Sequence, residues 1–172
     1  MRTVLSLFII LSSLYTFNAQ ANKDKGAIAE NWTLETQMGQ SISLADYQGK
    51  PVILHFWATW CPYCKKLQPK LVELQEKYKS TGIEIVAISF NEDEGVNPQN
   101  SITERGYKFI TAVKGDKVAQ QFGVKGTPTT FFINRSNEVI FKSTSANIED
   151  PRLELAVQEI IKNNNIKKPA DK

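Results

Sequence analysis

Phe56-Trp57-Ala58-Thr59-Trp60-Cys61-Pro62-Tyr63-Cys64 is the stretch that decides the fold, and it holds the only two cysteines of this 172-residue chain. It joins an apolar run, Val52 to Trp57, that predicts a buried strand to an amphipathic run, Pro62 to Ser80, that predicts a helix. The free N–H groups and the dipole at a helix N-terminus favour a thiolate. Because the thiolate is the form that attacks disulfides, the pattern predicts thiol–disulfide exchange.

The two cysteines have different expected roles. At positions i and i+3 they share one face of the first helical turn, with Cys61 near the N-cap and Pro62 at the first helical position. Cys61 is therefore the expected nucleophile, and Cys64 the thiol that resolves the mixed disulfide. Two alternatives remain open at this point. The pair could be a structural disulfide, or half of a zinc site that needs two more ligands, for which His55 is the sole histidine.

Composition narrows the possible functions. The chain has 21 Lys and Arg against 18 Asp and Glu, a net charge of +3, and no basic cluster outside its C-terminal tail. Nucleic acid is therefore not an expected partner. Two cysteines three positions apart do not make a disulfide-stapled scaffold, because so short a loop gains only about 2 kcal/mol by the chain-entropy estimate. We expect neither a cofactor nor a bound metal.

The chain divides into four predicted segments. Residues 1–21 combine Arg2, an apolar run from Val4 to Phe17 and the sequence Ala19-Gln20-Ala21, which is typical of a cleaved secretory signal. The apolar run of about 14 residues is shorter than a membrane-spanning helix needs, although an uncleaved anchor is the alternative. A polar leader (22–31), one domain (32–163) and a flexible tail (164–172) follow. The signal predicts a periplasmic protein.

Periodicity predicts an α/β domain with a mixed sheet. The expected order is a β-hairpin, a βαβ unit, further helices and a final ββα unit. The predicted strands are 32–36, 40–44, 52–57, 83–90, 109–113, 129–134 and 138–142, and the predicted helices are 62–80, 98–105, 116–122 and 151–163.

These motifs resemble the thioredoxin superfamily, and residues 32–163 resemble its extracytoplasmic TlpA/ResA-like branch. The matching pieces are Phe56 to Cys64, Pro69 five residues after Cys64, and Gly126-Thr127-Pro128-Thr129 about 65 residues further on. The resemblance implies a thioredoxin fold with an extra N-terminal β-hairpin. It implies a thiol:disulfide interchange protein that acts on protein thiols or disulfides and is recycled by a membrane redox partner. Contact with the membrane by the chain itself is expected only if the signal stays uncleaved.

The resemblance also implies that Pro128 is a cis proline beside the cysteines. From the residues alone, Thr127-Pro128 could be an ordinary trans bond at a strand edge, because cis is the minority state of X–Pro bonds. A cis proline would leave the Thr127 backbone open to pair with a substrate strand, and Thr127 would help to set the redox potential.

Other residues near the cysteines are candidates for tuning or recognition. His55 lies six residues before Cys61, where many thioredoxins carry a buried acid, so a neutral imidazole there could accept the Cys64 proton. The alternative is a strand histidine that is hydrogen-bonded in the core or tilted to the surface. Trp60 is expected to shield the sulfur and offer a flat apolar contact, and Tyr63 to be exposed.

Three features depart from the branch. ResA-like members carry Glu where this chain has Leu67, and cytochrome-maturation members often carry Glu where it has Thr129. The family's glycine after the last hairpin strand is missing from Lys142-Ser143-Thr144-Ser145, so one rim of the substrate groove is expected to be reshaped.

Two other functions compete with disulfide exchange. A peroxiredoxin-type peroxidase shares the fold, but it would want Thr or Ser where Ala58 stands, three residues before Cys61. A thiol-based copper-binding protein would suit soft thiolates, but no histidine follows residue 55.

Overall fold

The computed structural model describes residues 26–162, which form seven strands and four α-helices around one sheet. The strands are β1 (Thr33–Thr36), β2 (Ser41–Ser43), β3 (Val52–Trp57), β4 (Glu84–Ser89), β5 (Ile110–Val113), β6 (Thr129–Ile133) and β7 (Val139–Ser143). The helices are α1 (Pro62–Lys77), α2 (Pro98–Thr103), α3 (Asp116–Gln121) and α4 (Pro151–Ile160). The predicted order of elements is confirmed, with shifts of one to three residues at most ends.

The sheet is mixed, as predicted. Its strand order is β2-β1-β5-β4-β3-β6-β7. Strands β3, β4 and β5 run parallel to one another, whereas β6 and β7 continue the sheet antiparallel from β3. The N-terminal hairpin, β1 and β2, joins the opposite side through an antiparallel pairing of β1 with β5. This is the thioredoxin fold with an added N-terminal hairpin.

Strand β3 lies in the middle of the sheet and is buried along its whole length. Because neighbouring side chains of a strand point to opposite faces, it supplies both halves of the core. Ile53 and Trp57 pack with α1, α2 and α4 on one face, while Leu54 and Phe56 pack with α3 on the other. This double coverage accounts for the uninterrupted apolar run in the sequence.

Helix α1 begins where the sequence predicted and ends earlier. Its N-cap is Cys61 and its first residue is Pro62, but it stops at Lys77 rather than Ser80. A short 3-10 turn over Lys79–Thr81 follows, and Gly82 closes it with a φ of 76°. The apolar periodicity used for the prediction continues to Tyr78, and it cannot distinguish the last α-helical turn from a 3-10 turn.

Residues 26–31, assigned to a loose leader from their sequence, belong to the folded domain. The Gly26 amide donates to the Val139 carbonyl at 2.7 Å, and the Val139 amide donates to the Ala27 carbonyl at 2.8 Å. Ile28 forms an antiparallel bridge with Glu138. The segment therefore covers part of the exposed edge of β7. The predicted boundary at residue 32 was wrong because backbone pairing with an edge strand needs no apolar pattern.

Three predicted segments fall outside the described residues: the signal (1–21), the first part of the leader (22–25) and the tail (164–172). Among residues 26–162, none of the helices has the length and apolar character needed to cross a bilayer.

We expect Gly115 to resist substitution because the start of α3 packs directly against the end of β4. A Cβ at this position would lie 2.1 Å from Ile88 Cγ2 and 2.9 Å from the Ser89 carbonyl oxygen. Gly115→Ala should lower the free energy of unfolding by about 1–3 kcal/mol, measured by urea denaturation. Gly126→Ala is the matched control, since its Cβ would enter open space. A wild-type value for Gly115→Ala would contradict this close packing.

Candidate active site

Cys61 and Cys64 form a disulfide at the N-terminus of α1, with Cα atoms 5.4 Å apart. Cys61 is the N-cap residue, and its sulfur accepts a hydrogen bond from the Cys64 amide at 3.1 Å. The Ala58 carbonyl accepts a bond from the Cys61 amide at 3.1 Å, which closes the turn between β3 and α1. The predicted placement of the first sulfur at the end of the helix is confirmed.

Both cysteines are buried in the disulfide form. Cys61 is 1% exposed and Cys64 is fully buried. Both cysteines pack in the core cluster that contains Trp57, Ala58 and Leu67. In the disulfide form each sulfur also covers part of the other. Cys61 attacks only in the reduced protein, where this mutual cover is absent.

The peptide bond between Thr127 and Pro128 is cis, which confirms the expectation from the resemblance. Strand β6 starts at the next residue and pairs with the end of β3, where Phe56 lies opposite Thr129. Pro128 is buried and Thr127 is half-buried. They line an open groove of about 470 Å³ together with Tyr63, Lys66, Thr144, Ala146 and Asn147. The fold thus brings the two predicted motifs, 65 residues apart, to one edge of the sheet.

Two aromatic side chains next to the cysteines are exposed, as predicted. Trp60 is 49% exposed and Tyr63 is 64% exposed. The Trp60 indole N–H donates to the Asn91 carbonyl at 2.7 Å, which fixes the edge of the ring while leaving a flat face in solvent. Tyrosine and tryptophan with one apolar face exposed are common at sites that contact other chains. Trp57, in contrast, is completely buried.

His55 lies inside the sheet and is fully buried. Its Nδ1 is 2.9 Å from the Thr130 hydroxyl on β6, while its Nε2 is buried with no hydrogen-bond partner. Burial, and to a lesser degree the charge of Arg105, lowers the pKa of His55 to about 3. The imidazole is therefore neutral at ordinary pH. Its strand position puts it on the same face as Ile53 and Trp57, toward α1.

Arg105 is a neighbour of this site that the sequence did not reveal. Its guanidinium lies 5.6 Å from the centre of the Trp57 ring and 5.7 Å from that of Tyr107. Nε donates to the Ser101 carbonyl at 2.8 Å, whereas both Nη atoms are buried without a partner. Burial lowers the pKa of Arg105. Only the packing of the α2 end over β3 brings this cation toward His55.

Glu92 is a second residue that sequence reasoning missed. It lies in the polar loop after β4, and its carboxylate accepts hydrogen bonds from Thr59 in the turn before Cys61. The one available signal was that β3 and β4 are neighbouring parallel strands, so residues that follow them meet at the same sheet edge. Among residues 26–162, no three His, Cys, Asp or Glu side chains lie close enough together to hold a metal ion.

The fold and the cysteine pair define a thioredoxin-fold protein with a Cys-x-x-Cys centre, and comparisons with known proteins give its family. The model of the AhpC/TSA family matches residues 26–142. The thiol-disulfide oxidoreductase ResA of Bacillus thuringiensis is 36% identical over 142 residues, covering 78% of this chain and 82% of that protein. ResA of Bacillus subtilis is 34% identical over 145 residues, covering 81% and 80%.

A solved structure agrees with these sequence relatives. The thiol:disulfide interchange protein of the thioredoxin family from Chlorobium tepidum superimposes with a TM-score of 0.67 at 25% identity, covering 80% of this chain and 98% of that one. The chain belongs to the AhpC/TSA family and, within it, to the ResA-like thiol-disulfide oxidoreductases. The resemblance stated from the motifs is confirmed.

The departures from the family pattern have structural consequences. Leu67 is fully buried in the core beneath the cysteines, so no carboxylate stands at that position. The Thr129 hydroxyl donates to the Gly126 carbonyl at 2.7 Å and braces the loop before the cis proline. Thr144, where the hairpin strand ends without a glycine, lines one side of the groove.

The buried histidine should make folding sensitive to mild acid. With a pKa of about 3 when folded and 6.5 when unfolded, His55 takes up a proton only on unfolding between these pH values. Stability should therefore be highest above pH 6.5 and fall as the pH drops, by about 2 kcal/mol between pH 6.5 and 5.

Urea denaturation of the oxidised protein at several pH values measures this loss. His55 is the only histidine, so this window reports on it before most carboxylates titrate. His55→Asn should have a nearly flat profile between pH 6.5 and 5. An equally steep loss in the variant would show that another group is responsible.

In the reduced protein, Cys61 should react with iodoacetamide at least about tenfold faster than Cys64, because only Cys61 caps the helix. Alkylation at a series of times, followed by peptide mass spectrometry, gives both rates. Equal modification, or faster reaction of Cys64, would contradict the assignment of Cys61 as the nucleophile.

Proposed function

We propose that this protein is an extracytoplasmic thiol:disulfide oxidoreductase that exchanges disulfides with protein substrates through Cys61 and Cys64. The observation that carries the proposal is the disulfide at the start of α1, with the Cys61 sulfur as the N-cap acceptor. The relatives named thiol-disulfide oxidoreductase support the same chemistry. A disulfide placed only for stability would gain little from so short a loop.

The exchange takes place in two balanced steps. In the reductive direction the Cys61 thiolate attacks one sulfur of a substrate disulfide. A bond from Cys61 to the substrate forms, the substrate S–S bond breaks, and one substrate thiolate leaves. Cys64, as its thiolate, then attacks the Cys61 sulfur and releases the second substrate thiolate. The substrate gains two electrons and the enzyme is left with its disulfide; the oxidative direction is the reverse.

The groove beside the cysteines is the proposed substrate site. Thr127 lies at its edge, and Pro128 has no N–H, so the Thr127 backbone can pair with an extended substrate chain. Trp60 and Tyr63 offer exposed aromatic faces on the helix side of the site. We assign binding to these four residues and preorganisation of the helix N-terminus to Pro62.

His55 is proposed to assist Cys64. In the tautomer whose Nδ1–H donates to the Thr130 hydroxyl, Nε2 is the nitrogen that can accept a proton when Cys64 ionises. The low pKa keeps the imidazole neutral, as this role requires. The same low pKa makes a protonated imidazole unstable at ordinary pH, so His55 would release the proton again immediately. The alternative is a purely structural role in the core, which the hydrogen bond to Thr130 also explains.

The proposed location and partners rest on the N-terminal sequence. The run from Val4 to Phe17 and the small residues before Asn22 are typical of export, so we place the protein in the periplasm, with a membrane anchor if the signal stays uncleaved. Because each turnover leaves the pair oxidised or reduced, a membrane redox partner is proposed to restore it. Cell fractionation tests the location.

The purified reduced protein should accelerate reduction of insulin disulfides by dithiothreitol, followed by turbidity. Cys61→Ser should abolish the acceleration because it removes the attacking thiolate. Cys64→Ser should instead accumulate mixed disulfides with substrate proteins, since release is blocked. The double variant is the matched control for trapping, and thermal unfolding confirms that each variant is folded.

Two results would contradict the proposed function. They are folded wild-type protein without exchange activity, or equal trapping by Cys64→Ser and the double variant. Rapid consumption of hydrogen peroxide with Cys61 but no disulfide exchange would favour the peroxidase instead. A mass-spectrometric catalogue of the trapped proteins identifies the substrate class.

A further inference from the structure

The loop after β4 holds the turn that precedes Cys61 in place. The Phe90 amide donates to the Trp57 carbonyl at 3.2 Å, and the Trp60 indole donates to the Asn91 carbonyl at 2.7 Å. Asn91 itself has a φ of 52°, which turns the chain back toward the site. The turn and the loop therefore behave as one unit at the edge of the sheet.

Glu92 makes the densest set of contacts in this unit. Its Oε1 accepts from the Thr59 amide at 2.8 Å and from the Ser89 hydroxyl at 2.5 Å. Its Oε2 accepts from the Thr59 hydroxyl at 2.5 Å and from the Thr59 amide at 3.1 Å. Glu92 is the acceptor in all four bonds, as a carboxylate is. The side chain is half-buried, so its charge is less screened than that of a freely exposed residue.

The length of the chain limits the distance between this carboxylate and the reactive sulfur. The carboxylate is 2.8 Å from an amide two residues before Cys61, which keeps it within roughly 14 Å of the Cys61 sulfur. A thiolate on Cys61 would lie in the positive field at the start of α1, and the Glu92 carboxylate is bonded to the turn that leads into this helix. Two like charges at this separation repel, and the repulsion acts only on the reduced, ionised form.

We propose that Glu92 is a positioning residue that both holds the turn before Cys61 and, through its negative charge, disfavours the thiolate and so shifts the pair toward the disulfide. This inference rests on the proposed exchange function and addresses its direction. Because the charge of Glu92 destabilises the reduced cysteine pair, this pair gives up electrons more readily than it would without the charge. Glu92 thereby makes the protein a better reductant of its substrates.

The exposed charges around the site are screened by solvent more strongly than Glu92. Lys65 and Lys66 are exposed on the first turns of α1, where solvent screens them. The Asp116 carboxylate accepts from the Asn91 amide at 3.0 Å and adds to the negative side, and Asp93 is exposed in the same loop. Glu92 differs from all of them because it is bonded to the turn itself.

Glu92→Gln removes the negative charge of the side chain and keeps nearly the same shape. In Glu92→Gln the pKa of the Cys61 thiol should fall by about half a unit, measured from thiolate absorbance at 240 nm during a pH titration. In glutathione redox buffers at a pH above the Cys61 pKa, where the reduced pair carries the thiolate, the equilibrium should shift about threefold toward the reduced protein, a potential about 15 mV higher. Glu92→Ala, which offers no amide donor to Thr59 and Ser89, should shift both quantities in the same direction.

Two control variants distinguish charge from loosening of the turn. Thr59→Val removes a hydroxyl donor to Glu92 but keeps the carboxylate, and it should leave the thiol pKa and the potential nearly unchanged. Asp93→Asn removes an equal charge from the exposed neighbour and should shift the pKa much less than Glu92→Gln.

The proposal is overturned if Glu92→Gln and Glu92→Ala keep the wild-type pKa and potential, or if Thr59→Val moves them as far. Such a result would leave the exchange activity itself untouched, because that activity is tested through Cys61 and Cys64. Conversely, inactive wild-type protein would refute the proposed function, whatever the titration of Glu92 variants gives.

Discussion

The central position of β3 is the constraint on which the rest of the structure depends. It pairs along its length with β4 on one side and with β6 on the other, and all six of its residues are buried. A strand fixed on both edges and both faces ends at a defined point. The turn that follows Trp57 therefore places Cys61 at the start of α1, next to the segment that begins β6. Were β3 free to slip by one residue, Trp57 and His55 would move to the opposite face of the sheet.

Burial around this strand also shapes the chemistry. The disulfide lies in the core rather than on the surface, and two ionisable groups in the same part of the core, His55 and Arg105, are poorly solvated. His55 is kept neutral there, and the Arg105 guanidinium packs between two aromatic rings with its Nη atoms unpaired. Electrostatic effects between such groups are stronger than between exposed ones, because water screens them less. The exposed part of the site consists of the aromatic rings of Trp60 and Tyr63 and the groove beside Pro128.

Much of the fold was predictable because the local signals agreed with one another. The apolar run of β3, the helical spacing of apolar residues in α1 and the start of α1 at Pro62 each follow from short-range physics. The errors arose where an element depends on a distant partner. Residues 26–31 look polar and unstructured, yet they pair with the open edge of β7. The cis bond before Pro128 was expected only through the family resemblance, since the residues alone leave both isomers open.

The amino-acid sequence by itself determined that a cysteine caps a helix, with a second one turn further on, because that arrangement depends only on neighbours along the chain. It also determined which side chains form the core of β3. Only the tertiary structure decided that Cys61 is covered in the disulfide form, that Glu92 is bonded to the turn before it, and that the charge of Arg105 acts on His55. The last two relationships join residues that are far apart in the chain, and their geometry is set by how strands and helices pack rather than by any local pattern.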